Sequence, residues 1–269
     1  MEKQIEIRSK ARKVDELWKL VGVFEDKIAE AAENQHVVIA DDYRNLLLHA
    51  SAKSIVTTRE LCILCANGYP DGALSLARNI YEHFIVLAFL ESKRKESEFM
   101  NYINDYYVDA DLQYCKMAKV QKSTMPEDEF ERIVSLEKEA KSRATRNTKG
   151  QYWWTGLSDF RALIDYISEI NQDSGLSAML VRLHAMYKLA CVVLHSNSLG
   201  NNFRIGIDRD FAGIDTNPVD KGLELPLEFV SLTLIYIIGT VGAEFGIEYE
   251  AIIKPLNELA AHYHTCGMI

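Results

Sequence analysis

Apolar residues recur along most of the chain at mixed spacings of three and four, which line one face of an α-helix. Residues 3–34 are charged, yet Ile7, Ala11, Val14, Leu17, Leu20 and Val21 follow that spacing and predict an amphipathic helix. Residues 38–67 continue with Leu46, Leu47, Leu48, Ile55, Leu61, Leu64 and Ala66. Asn67-Gly68-Tyr69-Pro70 breaks the pattern. Asp71 is the expected N-cap of a long apolar helix from Gly72 to about Ser92. Residues 96–122 predict a helix with a dense aromatic group at Tyr102, Tyr106, Tyr107 and Tyr114. The run from Ser123 to Glu127 marks the next start, and 127–145 is a charged helix.

Residues 146–157 then predict a loop containing Gly150, Trp153, Trp154 and Gly156. Ser158 is the expected cap of a helix from Asp159 to Ile170, and Asn171 to Gly175 ends it. Another helix is expected from Leu176 to about Ser196. Residues 199–225 form the longest irregular stretch, with Gly200, Gly206, Gly213, Pro218 and Gly222 and a short strand expected at Phe203 to Ile207. Two last helices follow at about 226–244 and 248–264. Long strands do not alternate with helices, which argues against an α/β sheet. The pattern predicts an all-α, single-domain multi-helix bundle of about nine or ten helices. Within 1–269 it separates N-terminal helices (1–50), a core (51–198), and a loop with a C-terminal helical pair (199–269).

Composition supports this picture. Only 5 Pro and 14 Gly occur, too few for a loop-rich all-β fold or for long disordered tails. The stretch from Leu225 to Phe245 is apolar, but Glu228 and Glu244 bracket its uncharged part, which is shorter than the roughly 20 residues of a membrane span. A buried core helix is expected there, and no membrane contact. The N-terminus lacks an apolar segment of the signal-peptide kind, and five cysteines, an odd number, argue against a disulfide framework. A cytoplasmic location is the expectation. With 30 Lys and Arg against 39 Asp and Glu, the net charge is −9. Broad coating of nucleic acid is therefore excluded, since that affinity comes from many basic groups releasing counterions. A local basic site remains open.

Candidate chemistry falls in a few places. Arg78-Asn79-Ile80-Tyr81-Glu82-His83 lies inside an apolar helix. Arg78 and Glu82 are four apart and share a face. One reading is an ion pair that tethers a neighbouring helix. The other is an arginine, oriented by Glu82, that holds a phosphate or carboxylate. His83 falls about 140° around the helix from Arg78, among Leu76, Ile80, Leu87 and Leu90, where a hydrogen-bonded core histidine is the plain alternative to a functional one. A second group is Tyr187, Cys191 and His195, spaced four apart, with Ser196 beside His195. His195 lies near a helix C-terminus, whose dipole favours the protonated ring. It either caps carbonyls there or serves as a general acid or base.

Lys138, Lys141, Arg143, Arg146 and Lys149 form a basic run that leads to Tyr152-Trp153-Trp154. Positive charge followed by stacking rings suits an RNA contact; the alternative is a solvated helix face followed by packing tryptophans. Cys62 and Cys65 have CxxC spacing but no second pair, so core packing is expected rather than zinc. His262, His264 and Cys266 could bind a metal or belong to a frayed end.

Two resemblances follow from these residues. Arg78-Asn79-xxx-His83 resembles the short signature of HEPN proteins, all-helical domains that include many metal-independent endoribonucleases of bacterial toxin and anti-phage systems. The resemblance covers six positions and implies Arg78, Asn79 and His83 as RNA-acting residues at a dimer interface. The wider arrangement resembles a bacterial all-helical family of unknown function. There, an Arg-xxx-Glu helix follows a Gly-containing turn (Ala66 to Leu90), with a Trp-containing loop (Tyr152 to Leu157) and a Tyr…His-Ser helix (Tyr187 to Ser196) further on. That likeness spans roughly 50–200 and implies a shared site of Arg78, Glu82, Tyr187, His195 and Ser196.

The leading expectation is thus a HEPN-like protein of a bacterial toxin or anti-phage system that acts as a metal-independent endoribonuclease. Arg78 would hold the phosphate, Glu82 would orient it, and His195 or His83 would transfer the proton. Lys141, Arg143, Arg146, Lys149, Trp153 and Trp154 would contact RNA. No cofactor or metal is expected. RNA or a nucleotide, a second copy as homodimer, and a protein encoded by a neighbouring gene are the expected partners. The alternatives are a non-catalytic helical interaction protein, in which Arg78, Glu82 and His195 hold helices together, and a helical metalloenzyme with His and Glu ligands.

Overall fold

The computed structural model describes residues 2–34, 42–194, 219 and 221–266. Among them are nine α-helices, one 3-10 turn and no strand. The all-α bundle predicted by the hydrophobic spacing is what forms. The helices are α1 (Glu2–Asn34), α2 (Asp42–Ala66), α3 (Pro70–Lys93), α4 (Phe99–Val120), α5 (Glu127–Arg143), α6 (Phe160–Ile170), α7 (Ser177–Leu194), α8 (Glu224–Phe245) and α9 (Glu250–Cys266), with the 3-10 turn at Trp153–Thr155. The expected strand at 203–207 lies outside the described residues. The chain groups into two compact units, Met1–Leu87 with Asp173–Ile269, and Ala88–Gln172.

Local chemistry sets the helix ends. The α3 helix opens at Pro70, one residue before the expected cap at Asp71. Proline suits the first turn because its missing N–H would have no helical partner there. Gly68, at φ 78°, makes the turn before it. The α6 helix is capped by Asp159 rather than Ser158: the Asp159 carboxylate accepts from the Ala162 N–H at 2.9 Å, and the Ser158 hydroxyl donates to Asp159. Gly246, at φ 66°, ends α8.

In the first unit, α3 is buried along Leu74, Ala77, Ile80, Tyr81, Phe84 and Ile85. The Tyr81 ring lies 5.2 Å from Tyr187 of α7 and 5.4 Å from Phe229 of α8. Phe84 meets Tyr236 of α8 edge-on at 4.6 Å. Such tilted and edge-on pairs add directional attraction to the burial of large rings. The α8 helix packs against α9, α2, α1 and α7. Gly242 is required on α8 because a Cβ there would collide with the Tyr249 ring. The hydroxyls of Ser231 and Thr233, which interrupt the apolar run of α8, bond back to the carbonyls of Leu227 and Phe229 at 2.7 and 2.8 Å. Their burial therefore leaves no donor unmet. Glu228 is the exception on this helix: a carboxylate 5% exposed in apolar surroundings. Arg182 of α7 pairs with it, and His264 of α9 lies 3.9 Å away.

By length and composition, α3, α7 and α8 are each apolar enough to cross a membrane. Most of the apolar window of α3 and of α8 is buried inside the protein, while 22% of that of α7 is.

In the second unit, α4 packs on α5. Asp105 of α4 has no exposed surface. It accepts from the Thr145 N–H at 2.7 Å, the Thr145 hydroxyl at 2.6 Å and Arg146 Nη1 at 2.8 Å. The Arg146 guanidinium also lies 3.9 Å from the centre of the Tyr102 ring. These contacts fix the chain after α5 onto α4. Trp154 packs edge-on against Phe89 and Tyr106, and Trp153 Nε1 donates to Asp109 at 2.6 Å. Of the four tyrosines expected to cluster on α4, Tyr102, Tyr106 and Tyr107 join this packing, while Tyr114 is 53% exposed.

Removing one partner of a buried ion pair leaves the other charge uncompensated. Arg146→Ala is therefore expected to lower stability by about 3 kcal/mol, seen as a lower urea midpoint. Lys149→Ala, at an exposed position, should change stability by no more than about 0.5 kcal/mol.

Candidate functional site

Arg78 and Glu82 sit on the rim of α3, one helical turn apart. Arg78 Nε donates to Glu82 Oε1 at 2.9 Å, and the two side chains are 23% and 30% exposed. The pair is thus intrahelical and half-buried. Across from it, the guanidinium lies 5.4 Å over the Tyr187 ring of α7. Tyr187 in turn hydrogen-bonds the Cys191 thiol, as their spacing of four suggests. Burial alone would weaken the charge on Arg78, but the neighbouring Glu82, Cys191 and Tyr187 outweigh it and hold the proton more firmly. Burial also raises the Tyr187 pKa, helped by the Cys191 contact and the negative Glu82 and opposed by Arg78, so the phenol stays neutral at physiological pH.

The arrangement orients a guanidinium without using it up. Nε is held by Glu82 and one face rests on Tyr187. The two terminal nitrogens have no hydrogen-bond partner among the described residues. A planar fork of free N–H donors beside an orienting carboxylate matches the acceptor geometry of a phosphate or carboxylate.

The structure brings Arg78, Glu82 and Tyr187 together, and His83 does not join them. Its ring titration is depressed by burial and by Lys53 of α2, and its buried Nδ1 has no partner among the described residues. The helical turn between Arg78 and His83 directs one toward α7 and the other toward the Lys53 side. His195 and Ser196 lie outside the described residues. Asn79, of the Arg-Asn-xxx-His pattern, is exposed.

The expected RNA surface is corrected in part. Trp153 and Trp154 are 4% and 2% exposed, so neither ring offers a face for stacking. Arg146 is committed to Asp105, Arg143 pairs with Asp111 at 2.5 Å and Lys141 with Glu137 at 2.8 Å. Lys149 is exposed. Tryptophan spacing alone did not separate packing rings from stacking ones.

Cys62 and Cys65 are buried, and burial, with a smaller push from Asp15, raises the Cys62 thiol to about 12. They pack the core as expected. Among the described residues, no group of three or more His, Cys, Asp or Glu is placed to hold a metal. The cluster that sequence reasoning missed is Arg182, Glu228 and His264. Glu228 carried the same signal as Arg78 and Glu82, a charge inside an apolar helix, but was read only as a bracket on a membrane-like stretch.

The depressed His83 titration predicts a sign for stability. The unfolded ring, with a pKa near 6.5, takes a proton that the folded ring resists. Its contribution is complete above about pH 6.5 and is lost progressively as pH falls from there through the lower value of the folded ring. Stability measured by urea unfolding should therefore fall on acidification below about pH 6.5, and His83→Gln should flatten that part of the profile.

No curated protein and no solved structure matches the chain. A family of unknown function, DUF5677, matches residues 44–212, which take in the turn before α3, the Arg78–Glu82 pair, the tryptophan turn and all of α7. With more than half of its length matched, the chain belongs to this family of unknown function.

Proposed function

We propose that the chain is a HEPN-like helical protein of a bacterial toxin or anti-phage system that acts on RNA, with Arg78 as the residue that holds a phosphate. One observation carries the reading: a half-buried guanidinium is fixed through Nε and one face, with its terminal donors left over. A pair serving only to join helices would link two of them, whereas Arg78 and Glu82 are both on α3.

In the metal-independent reaction, a base takes the proton of a ribose 2′-hydroxyl. The 2′-oxygen attacks the adjacent phosphorus and the bond to the 5′-oxygen breaks. A proton delivered to that oxygen completes a cyclic phosphate and a free 5′-hydroxyl. Arg78 would stabilise the charge that builds on the phosphate oxygens, where a preorganised donor is worth most. Glu82 would orient Arg78, and Tyr187 would support its face. With His83 on another side of α3, proton transfer falls to His195, which follows α7 directly in sequence. Activity in the cytoplasm and as a homodimer are parts of the same proposal.

The test is cleavage of a labelled RNA by the purified protein. Arg78→Ala is expected to reduce the rate by about 100-fold or more and to relieve toxicity in cells. Its melting temperature should change little, because a partly exposed ion pair contributes about 1 kcal/mol or less. Unchanged cleavage and toxicity would overturn the reading. RNA binding that needs Arg78, without cleavage by the parent protein, would make it a phosphate-binding module instead.

A further inference from the structure

The Glu228 cluster is not explained by the Arg78 site, and it is built more deeply. Its parts come from three helices: Arg182 near the start of α7, Glu228 near the start of α8 and His264 in the last turn of α9. They are graded by depth. The side chain of Glu228 is 7% exposed, that of Arg182 31% and that of His264 44%. A carboxylate lies at the bottom, a guanidinium over it and an imidazole at the rim.

A buried carboxylate fixes the guanidinium above it, since withdrawing the cation would leave an unpaired charge in apolar surroundings. Arg182 Nη2 reaches both Glu228 and the Nδ1 of His264. Arginine has donors only, so this Nδ1 accepts. In the neutral ring the proton must then sit on Nε2. The two groups at the rim therefore both present N–H donors, Nε2–H from His264 and the Nη1 and Nε groups of Arg182, none of which has a partner among the described residues. A fixed cation whose Nη1 and Nε donors are left over suits an oxyanion with several acceptor oxygens, and His264 lies beside it.

We propose that Arg182 and His264, set over Glu228, form a second phosphate-binding site. It takes a phosphate group either as a free phosphate or monoester, or as a phosphodiester of RNA. The site does not depend on Arg78.

The test uses the full chain and the imidazole signals of its histidines in NMR, with the His264 signal identified by its loss in His264→Gln. Inorganic phosphate is added against chloride at equal ionic strength. The His264 signal should move and saturate with phosphate and stay still with chloride. In Arg182→Gln/Glu228→Gln, which replaces both buried charges by neutral groups of similar shape, phosphate affinity should fall about tenfold or more. If that variant does not fold, His264→Gln at the exposed rim serves, with calorimetry expected to show weaker phosphate binding. A short RNA oligonucleotide distinguishes the sources: movement with RNA as well assigns the site to a phosphodiester, movement with phosphate alone to a free or terminal phosphate. The response should persist in Arg78→Ala, which separates this site from the first. A His264 signal that moves with neither probe would overturn the proposal. So would equal phosphate binding by the parent and a folded rim variant.

Discussion

A charge drawn into a helical core gives up its hydration, and an opposite charge or a set of hydrogen bonds must offset the loss. Three acidic side chains meet that demand in different ways. Asp105, with no exposed surface, is closed in by Arg146 and by the N–H and hydroxyl of Thr145. Glu228 draws on Arg182 and His264 from two other helices. Glu82 meets Arg78 on its own helix, at the rim. The first arrangement also engages the cation with Glu98 and the face of Tyr102. The other two hold a cation in place and leave donors over.

That difference divides structure from chemistry. In the second unit, Arg146 and the two tryptophans are consumed by packing and pairing, while Lys149 is exposed. In the first unit, α3 supplies both the buried rings that organise α7 and α8 and, on its rim, the oriented Arg78. The same helix can do both because Arg78 and Glu82 lie at the edge of the face that Tyr81 and Phe84 bury. Tyr187 joins the two roles, packing on Tyr81 and lying beneath the Arg78 guanidinium.

Helix positions were legible because spacing at three and four is a local property and breaks such as Asn67-Gly68-Tyr69-Pro70 carry their own conformational signals. Ends shifted by a residue or a few where a nearby group competed, as when Asp159 rather than Ser158 capped α6. The Arg78–Glu82 pair was legible for the same local reason, both residues lying within one turn. Tyr187 was legible as part of a stripe on α7, but its position under Arg78 is tertiary. The joining of Arg182, Glu228 and His264 depends on how three helices meet across 82 residues of chain, and no local pattern encodes that. The sequence leaves the tryptophans open between packing and stacking, because a Trp-containing loop after a basic run looks the same whether its rings turn inward or outward.

If Glu82 orients Arg78 for a ligand, the pair contributes little to holding the fold. A double-mutant cycle on the two residues, read in unfolding free energy, tests it most directly. A coupling of about 0.5 kcal/mol or less is expected, as for a partly exposed pair on one helix. A coupling of about 2 kcal/mol or more, of the size that belongs to buried networks, would contradict it and make the pair part of the scaffold.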